Sequence, residues 1–74
     1  MGRLRVLSGS EICQILEERG FVAVGQRGSH RIMQKRAEGT TLTVAVPLNH
    51  QVRRSTLLSI IRKSELPKAL FETA

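Results

Sequence analysis

The residues best suited to chemistry lie together at positions 27–36, where the sequence reads RGSHRIMQKR. His30 can take up or release a proton near neutral pH, which is the basis of acid–base catalysis by histidine. Several cations surround it, and cations beside a phosphodiester stabilise the negative charge that develops on phosphorus. Gly28 allows a ligand to approach the backbone, and successive amides in such a turn can bind an anion. RNA would need little more, because its own 2′-hydroxyl can attack the adjacent phosphate.

A second basic segment, VRRSTLLSIIRK, occupies positions 52–63. Its two arginines precede a predicted helix, and the amides at a helix N-terminus can bind a phosphate. A solvated, purely structural edge explains the same two arginines equally well. We predict His30 as the catalytic residue, and the predicted RNA contacts are Arg27, Gly28, Ser29, Arg31, Lys35, Arg53 and Arg54.

The residue pattern alone leaves a simpler interpretation of His30 open, because a lone histidine at a strand start is more often solvated than catalytic. Glu38 lies across a turn and His50 lies in a later connection. Either could approach His30 as a second acid or base, and spacing does not decide between them. His, Asp and Glu residues show no metal-ligand spacing, so we predict no metal and no other cofactor.

Charge and composition favour a polyanionic partner. The chain has 74 residues, with 12 Lys and Arg against 6 Asp and Glu, a formal charge of +6 and a pI near 11.2. Such a field attracts nucleic acid, and an acidic protein would respond to it as well. The only aromatic residues are Phe21 and Phe71, which disfavours a single-strand-binding platform built on base stacking.

Length and cysteine usage predict one domain spanning residues 1–74 in a cytoplasmic, reducing compartment. The single Cys13 excludes an internal disulfide. The first eleven residues contain no apolar run long enough for a signal peptide or a membrane span, so no membrane association is predicted.

The predicted fold class is α+β, a two-layer α-β-β-β-α domain whose three-stranded antiparallel sheet carries both helices on one face. Ser8 and Glu11 form a capping box at the first helix, and Gly20 ends that helix. The later predicted elements are strands at 21–26, 30–36 and 41–46, a helix at 55–64 capped by Ser55, and a last turn at 68–71.

The facing of the second strand follows from its charges. We expect Arg31 and Lys35 to face water, which turns Ile32 towards the helices. His30 would then lie on the helix-side face and emerge at the rim of the sheet.

Taken together, these segments resemble the HicA (YcfA-like) family of toxins. The runs that carry the resemblance are SGSEICQILEERGF, QRGSHRIMQKR, TLTVAVP and TLLSIIRKSELP, which together extend from about residue 8 to residue 70. The resemblance implies a double-stranded-RNA-binding-domain-like fold and a ribosome-independent mRNA interferase. Such an enzyme cleaves mRNA, inhibits translation and stops growth. The catalytic histidine of the family's G-S-H motif falls on His30, and the implied partners are mRNA and a HicB-type antitoxin that covers the active site.

Two positions depart from the family pattern. Many relatives read V-P-x-H after the third strand, whereas this chain has Asn49 at that place and His50 one residue later. Arg54 and Ser55 stand where Pro-Gly or a similar pair is frequent before Thr-Leu.

Three functions therefore compete. The first is an RNA-cleaving toxin, with His30 acting on the 2′-hydroxyl or on the leaving 5′-oxygen. The second is a non-catalytic RNA-binding module that uses the same basic residues. In the third, the chain acts chiefly by binding an acidic antitoxin, which is compatible with the first.

Overall fold

A computed structural model describes residues 2–73 and contains the predicted order of elements. The helices are α1 (Gly9–Glu18) and α2 (Arg54–Ser64), and the strands are β1 (Val22–Arg27), β2 (His30–Ala37) and β3 (Thr40–Pro47). One 3-10 turn, Lys68–Phe71, follows α2. Within residues 2–73, no helix has the length and apolar character required to span a bilayer.

The strands form one antiparallel sheet in the order β1-β2-β3, so the predicted meander and the α+β class are confirmed. The register places Arg27 opposite His30 on one side and Pro47 opposite His30 on the other. The β1–β2 register shifts between Ala23 and Gly25, which is the signature of a β-bulge near that edge of the sheet.

The ends of α1 confirm the predicted signals. The Glu11 amide donates to Ser8 Oγ at 3.1 Å, and the Ser8 amide donates to the Glu11 carboxylate at 2.8 Å. Hydrogen bonding from the Ser8 amide, and secondly from the Ser8 hydroxyl, favours the ionised carboxylate and lowers the pKa of Glu11. At the other end, Gly20 adopts φ of +96°, and the Phe21 amide donates to the Leu16 carbonyl at 3.0 Å. This is the Schellman arrangement expected of a glycine stop.

The core lies between the helices and one face of the sheet. Each fully buried Leu, Ile or Phe side chain contributes roughly 1.5–3 kcal/mol through removal from water. The sheet contributes Met33, Val44 and Val46, and the helices and their flanks contribute Leu7, Ile12, Cys13, Leu16, Phe21, Leu57, Ile60, Ile61 and Phe71.

The predicted facing of β2 is wrong. Met33 is completely buried whereas Ile32 is only half-buried, so the face bearing Arg31, Met33 and Lys35 turns towards the helices. Long cationic side chains tolerate this position because their aliphatic stems cover apolar surface while their charges reach the rim. Strand alternation groups His30 with Ile32 rather than with Met33. Because His30 is the first residue of β2, it lies at the rim of the sheet, beside the start of α2.

The start of α2 also differs from the prediction. The helix begins at Arg54 with Arg53 as its N-cap, and no side chain caps it. The first helical bond runs from the Leu57 amide to the Arg53 carbonyl at 2.9 Å. Ser55 consequently lies inside the first turn, and no side-chain acceptor satisfies the first amides of α2.

The N-terminal segment lies against the end of the chain, which the sequence pattern did not predict. Leu4 and Glu72 form an isolated antiparallel bridge. The Arg5 amide donates to the Phe71 carbonyl at 2.9 Å, and the Thr73 amide donates to the Arg3 carbonyl at 2.8 Å. These bonds hold two N-terminal arginines close to the last turn of the protein.

Cys13 is a buried side chain of α1, with 1% of its surface exposed. Desolvation raises the pKa of its thiol, although the nearby Arg31 guanidinium opposes that shift. We expect the folded protein to resist alkylation by iodoacetamide at pH 8 and to react readily in urea, because the thiolate is the reactive form. Mass spectrometry of the adduct measures this, and rapid labelling without urea would contradict the buried position.

Candidate active site

A tight hairpin turn presents the predicted catalytic segment. Gly28 and Ser29 connect β1 to β2, and Gly28 has φ of +58°. A positive φ at the first of two turn residues is typical of the type II′ hairpin turn, and glycine adopts it without strain. The Gln26 side-chain amide donates to the Gly28 carbonyl at 3.2 Å, and the Leu48 amide donates to the Ser29 carbonyl at 2.8 Å. The turn is thereby fixed to the segment that follows β3.

His30 lies at the rim of the sheet with its side chain exposed, in a cleft of about 360 Å³. The walls come from the hairpin turn, the end of β3, the connection to α2 and the first turn of α2. The lining residues are Ser29, His30, Pro47, Asn49, Val52, Arg53 and Thr56. We refer to this space as the His30 cleft.

The electrostatics of the His30 cleft favour an anion. Arg53 is exposed and brings a positive charge to the cleft that holds His30. It also marks the start of α2, where amides without a side-chain cap carry the positive end of the helix dipole. A phosphate in this cleft would meet a cation and helix amides beside an imidazole.

The structure separates the predicted RNA contacts into three groups. Those at the His30 cleft or beside it are Arg27, Gly28, Ser29 and Arg53. Arg54 is exposed and lines the adjoining space on the other side of α2's start. Arg31 and Lys35 belong to the helix-side face of β2 and do not line the His30 cleft.

The positions of Arg31 and Lys35 have a clear physical cause. Arg31 is half-buried and close to the Cys13 thiol, whereas Lys35 Nζ lies 5.9 Å from the centroid of the Phe21 ring. Neighbouring positions in a strand point to opposite faces, so sequence proximity to His30 did not bring these charges to its side. RNA could contact Arg31 or Lys35 only if the bound RNA chain extends beyond the His30 cleft.

The two acid–base candidates left open by the sequence are placed differently. Glu38 lies in the turn after β2, at the opposite end of the strand from His30, roughly 25 Å away at the rise of an extended strand. His50 is exposed in the connection between β3 and α2 and is not among the residues that line the His30 cleft.

Asn49 and Thr56 line the His30 cleft and were not singled out from the sequence. An amide and a hydroxyl at these positions can hydrogen-bond a phosphate or a ribose. The only sequence signal for Asn49 was its place shortly after the third strand, at the position where the resemblance to the HicA family leads one to expect a histidine. Within residues 2–73, no group of three or more His, Cys, Asp or Glu side chains is arranged to hold a metal ion.

The fold and the cleft define a small basic α+β protein that presents one histidine beside anion-binding groups. Residues 9–66, more than half of the chain, match the family model described as HicA toxin of bacterial toxin–antitoxin. The chain therefore belongs to the HicA toxin family, and the predicted toxin role is confirmed. Comparison with curated proteins and with solved structures gives no significant match.

Proposed function

We propose that this toxin is a metal-independent endoribonuclease, an mRNA interferase that cleaves mRNA and so inhibits translation and growth. The observation that carries the proposal is the exposed His30 in a cleft that also holds Arg53 and the uncapped start of α2. A HicB-type antitoxin is the proposed protein partner. The net charge of +6 favours an acidic surface on that antitoxin.

Binding of the scissile phosphate is assigned to groups on two sides of the cleft and to one cation outside it. Arg53 and the first amides of α2 hold the non-bridging oxygens from one side. The turn at Gly28 and Ser29 brings exposed backbone to the other side, where a Cβ added at Gly28 would meet nothing within 4 Å. Arg27, opposite His30 in the register, adds a cation outside the cleft.

The chemical step uses the RNA's own 2′-hydroxyl as the nucleophile. His30 takes the proton from that hydroxyl as O2′ bonds to phosphorus, and the imidazolium returns the proton to O5′ as the P–O5′ bond breaks. The products are a 2′,3′-cyclic phosphate and a 5′-hydroxyl, and the proton balance closes. Among the described residues, no second histidine and no carboxylate lines the His30 cleft, so one imidazole serves both proton transfers.

Product chemistry tests this proposal directly. Purified protein incubated with RNA in a chelator is expected to give products that end in 2′,3′-cyclic phosphate and 5′-hydroxyl. A 2′-deoxynucleotide at the cleaved position should abolish that cut, because the nucleophile is missing. Mass spectrometry of the products measures both results. Products with a 5′-phosphate, or unchanged cleavage at the 2′-deoxy position, would refute the mechanism.

A non-catalytic RNA-binding module is the alternative function, since it would use the same basic surface. It predicts salt-sensitive RNA binding without products of any kind. The chelator experiment separates the two functions, because only the enzyme shortens the RNA.

A further inference from the structure

The His30 cleft continues into two more clefts along one side of the molecule. The middle cleft, about 210 Å³, shares Val52 and Arg53 with the His30 cleft. The outer cleft, about 430 Å³, shares Leu4 and Arg54 with the middle one. We call the three together the extended groove. It runs from His30 past the start of α2 to the paired chain ends.

The extended groove is rich in positive charge. Five of the twelve Lys and Arg residues of the chain line it, and all five side chains are exposed. They are Arg3, Arg5, Arg53, Arg54 and Lys68. Glu72 is the acidic residue that lines the outer cleft, and Arg5 is near enough to Glu11 to contribute to the lowering of that carboxyl's pKa. The charge balance along the groove thus remains strongly positive.

The walls of the middle cleft also offer apolar surface. Val6 has 74% of its surface exposed, and the half-buried Leu4 lines the same cleft. Apolar side chains between cations suit a nucleic-acid strand, since the cations meet phosphates while bases lie against hydrocarbon. The other basic cleft, at Lys35 and Arg36, shares no lining residue with the extended groove.

We infer that the extended groove binds the part of a single-stranded RNA that continues from the scissile phosphate. Arg5 contacts that strand in the middle cleft, and Arg3 and Lys68 contact it in the outer cleft. This inference rests on the proposed function, because it places the cleaved bond at His30. It adds that affinity and length preference come from residues at the two chain ends, far from His30 in the sequence.

The test compares substrates of two lengths. In the double variant Arg5→Gln/Lys68→Gln, the middle cleft and the outer cleft each lose one cation. We expect the KM for an RNA of about twelve nucleotides, within the range covered by single-strand-binding folds, to rise several-fold. Cleavage of a trinucleotide should change less than twofold, because it reaches only the His30 cleft. A matched control, Arg19→Gln/Lys63→Gln, removes the same charge outside the groove and should not change the KM for either RNA.

Equilibrium binding keeps the inference separate from the proposed chemistry. The probe is the longer RNA with a 2′-O-methyl group on every ribose, which blocks the 2′-hydroxyl and prevents cleavage. Each lost phosphate contact on a single strand reduces the slope of log affinity against log salt concentration by about 0.7. Arg5→Gln/Lys68→Gln removes two contacts, so its slope should be smaller by about 1.4. An unchanged slope would overturn the inference that the extended groove binds RNA, even if cleavage is found. A reduced slope without any cleavage would refute only the proposed nuclease activity.

A protein ligand in the groove is the competing occupant. Poly-glutamate serves as the acidic polypeptide probe for the same variants. Weaker binding of poly-glutamate, together with unchanged binding of the RNA probe, would overturn the inference and assign the groove to a protein partner.

Discussion

Replacement of His30 by alanine is expected to lower the rate of RNA cleavage by about 10²–10⁴-fold, the usual contribution of a positioned acid–base group. The His30 side chain is exposed and lies outside the buried core, so the free energy of unfolding should change by less than about 0.5 kcal/mol. Loss of activity without loss of stability distinguishes a chemical role from a structural one. Both are measurable on the same preparation, by RNA cleavage and by urea unfolding.

His50 provides a matched control, since it is the other histidine of the chain and is exposed outside the His30 cleft. His50→Ala should retain cleavage within a factor of about two and should still arrest growth on expression. His30→Ala should no longer arrest growth, and it should still bind the antitoxin. Full toxicity of His30→Ala would end the nuclease assignment.

Gly9→Ala is expected to destabilise the protein although alanine is the better helix former. Gly9 is buried at the first position of α1, and its amide donates to the Asn49 carbonyl at 2.9 Å. A Cβ at this position would collide with the Pro47 carbonyl oxygen and would lie 2.8 Å from Leu48 Cα. These obstacles are backbone atoms, which cannot rotate away as a flexible side chain can.

Magnitudes decide the sign of this effect. Glycine to alanine in a helix gains at most about 1 kcal/mol, whereas overpacking costs typically about 1–3 kcal/mol. With rigid backbone as the obstacle we expect the upper part of that range, and therefore a net loss of about 2 kcal/mol. For a domain of this size that loss corresponds to a decrease of roughly 8–16 °C in Tm.

A Cβ at Gly9 would displace the segment at Pro47 and Leu48. This segment also forms part of the His30 cleft, because Pro47 and Asn49 line that cleft. Gly9→Ala should consequently reduce cleavage as well as stability. Gly25→Ala is the control: a Cβ at Gly25 meets nothing within 4 Å, and its φ lies outside the left-handed region. Calorimetry of the two variants should separate them clearly. Equal melting temperatures would show that Gly9 does not pack closely against the backbone of residues 47–49.

Local signals in the sequence predicted most of the fold. The capping box of Ser8 and Glu11, the stop at Gly20 and the hairpin at Gly28 each act through hydrogen bonds or φ values within a few residues. Such signals are complete in the sequence itself. The resemblance to the HicA family likewise came from short runs, and the family match over residues 9–66 confirms it.

The sequence by itself thus determined the order of elements, the family and the identity of the one histidine worth testing. Tertiary structure decided which face of β2 is buried, and it placed Met33 rather than Ile32 in the core. It also brought Arg53 to His30 and joined the N-terminal arginines to the groove beside Lys68. The physical reason is the separation along the sequence between the residues that interact. A strand with apolar residues on both faces is oriented by the burial of the whole core, and contacts between distant segments depend on how all elements pack together.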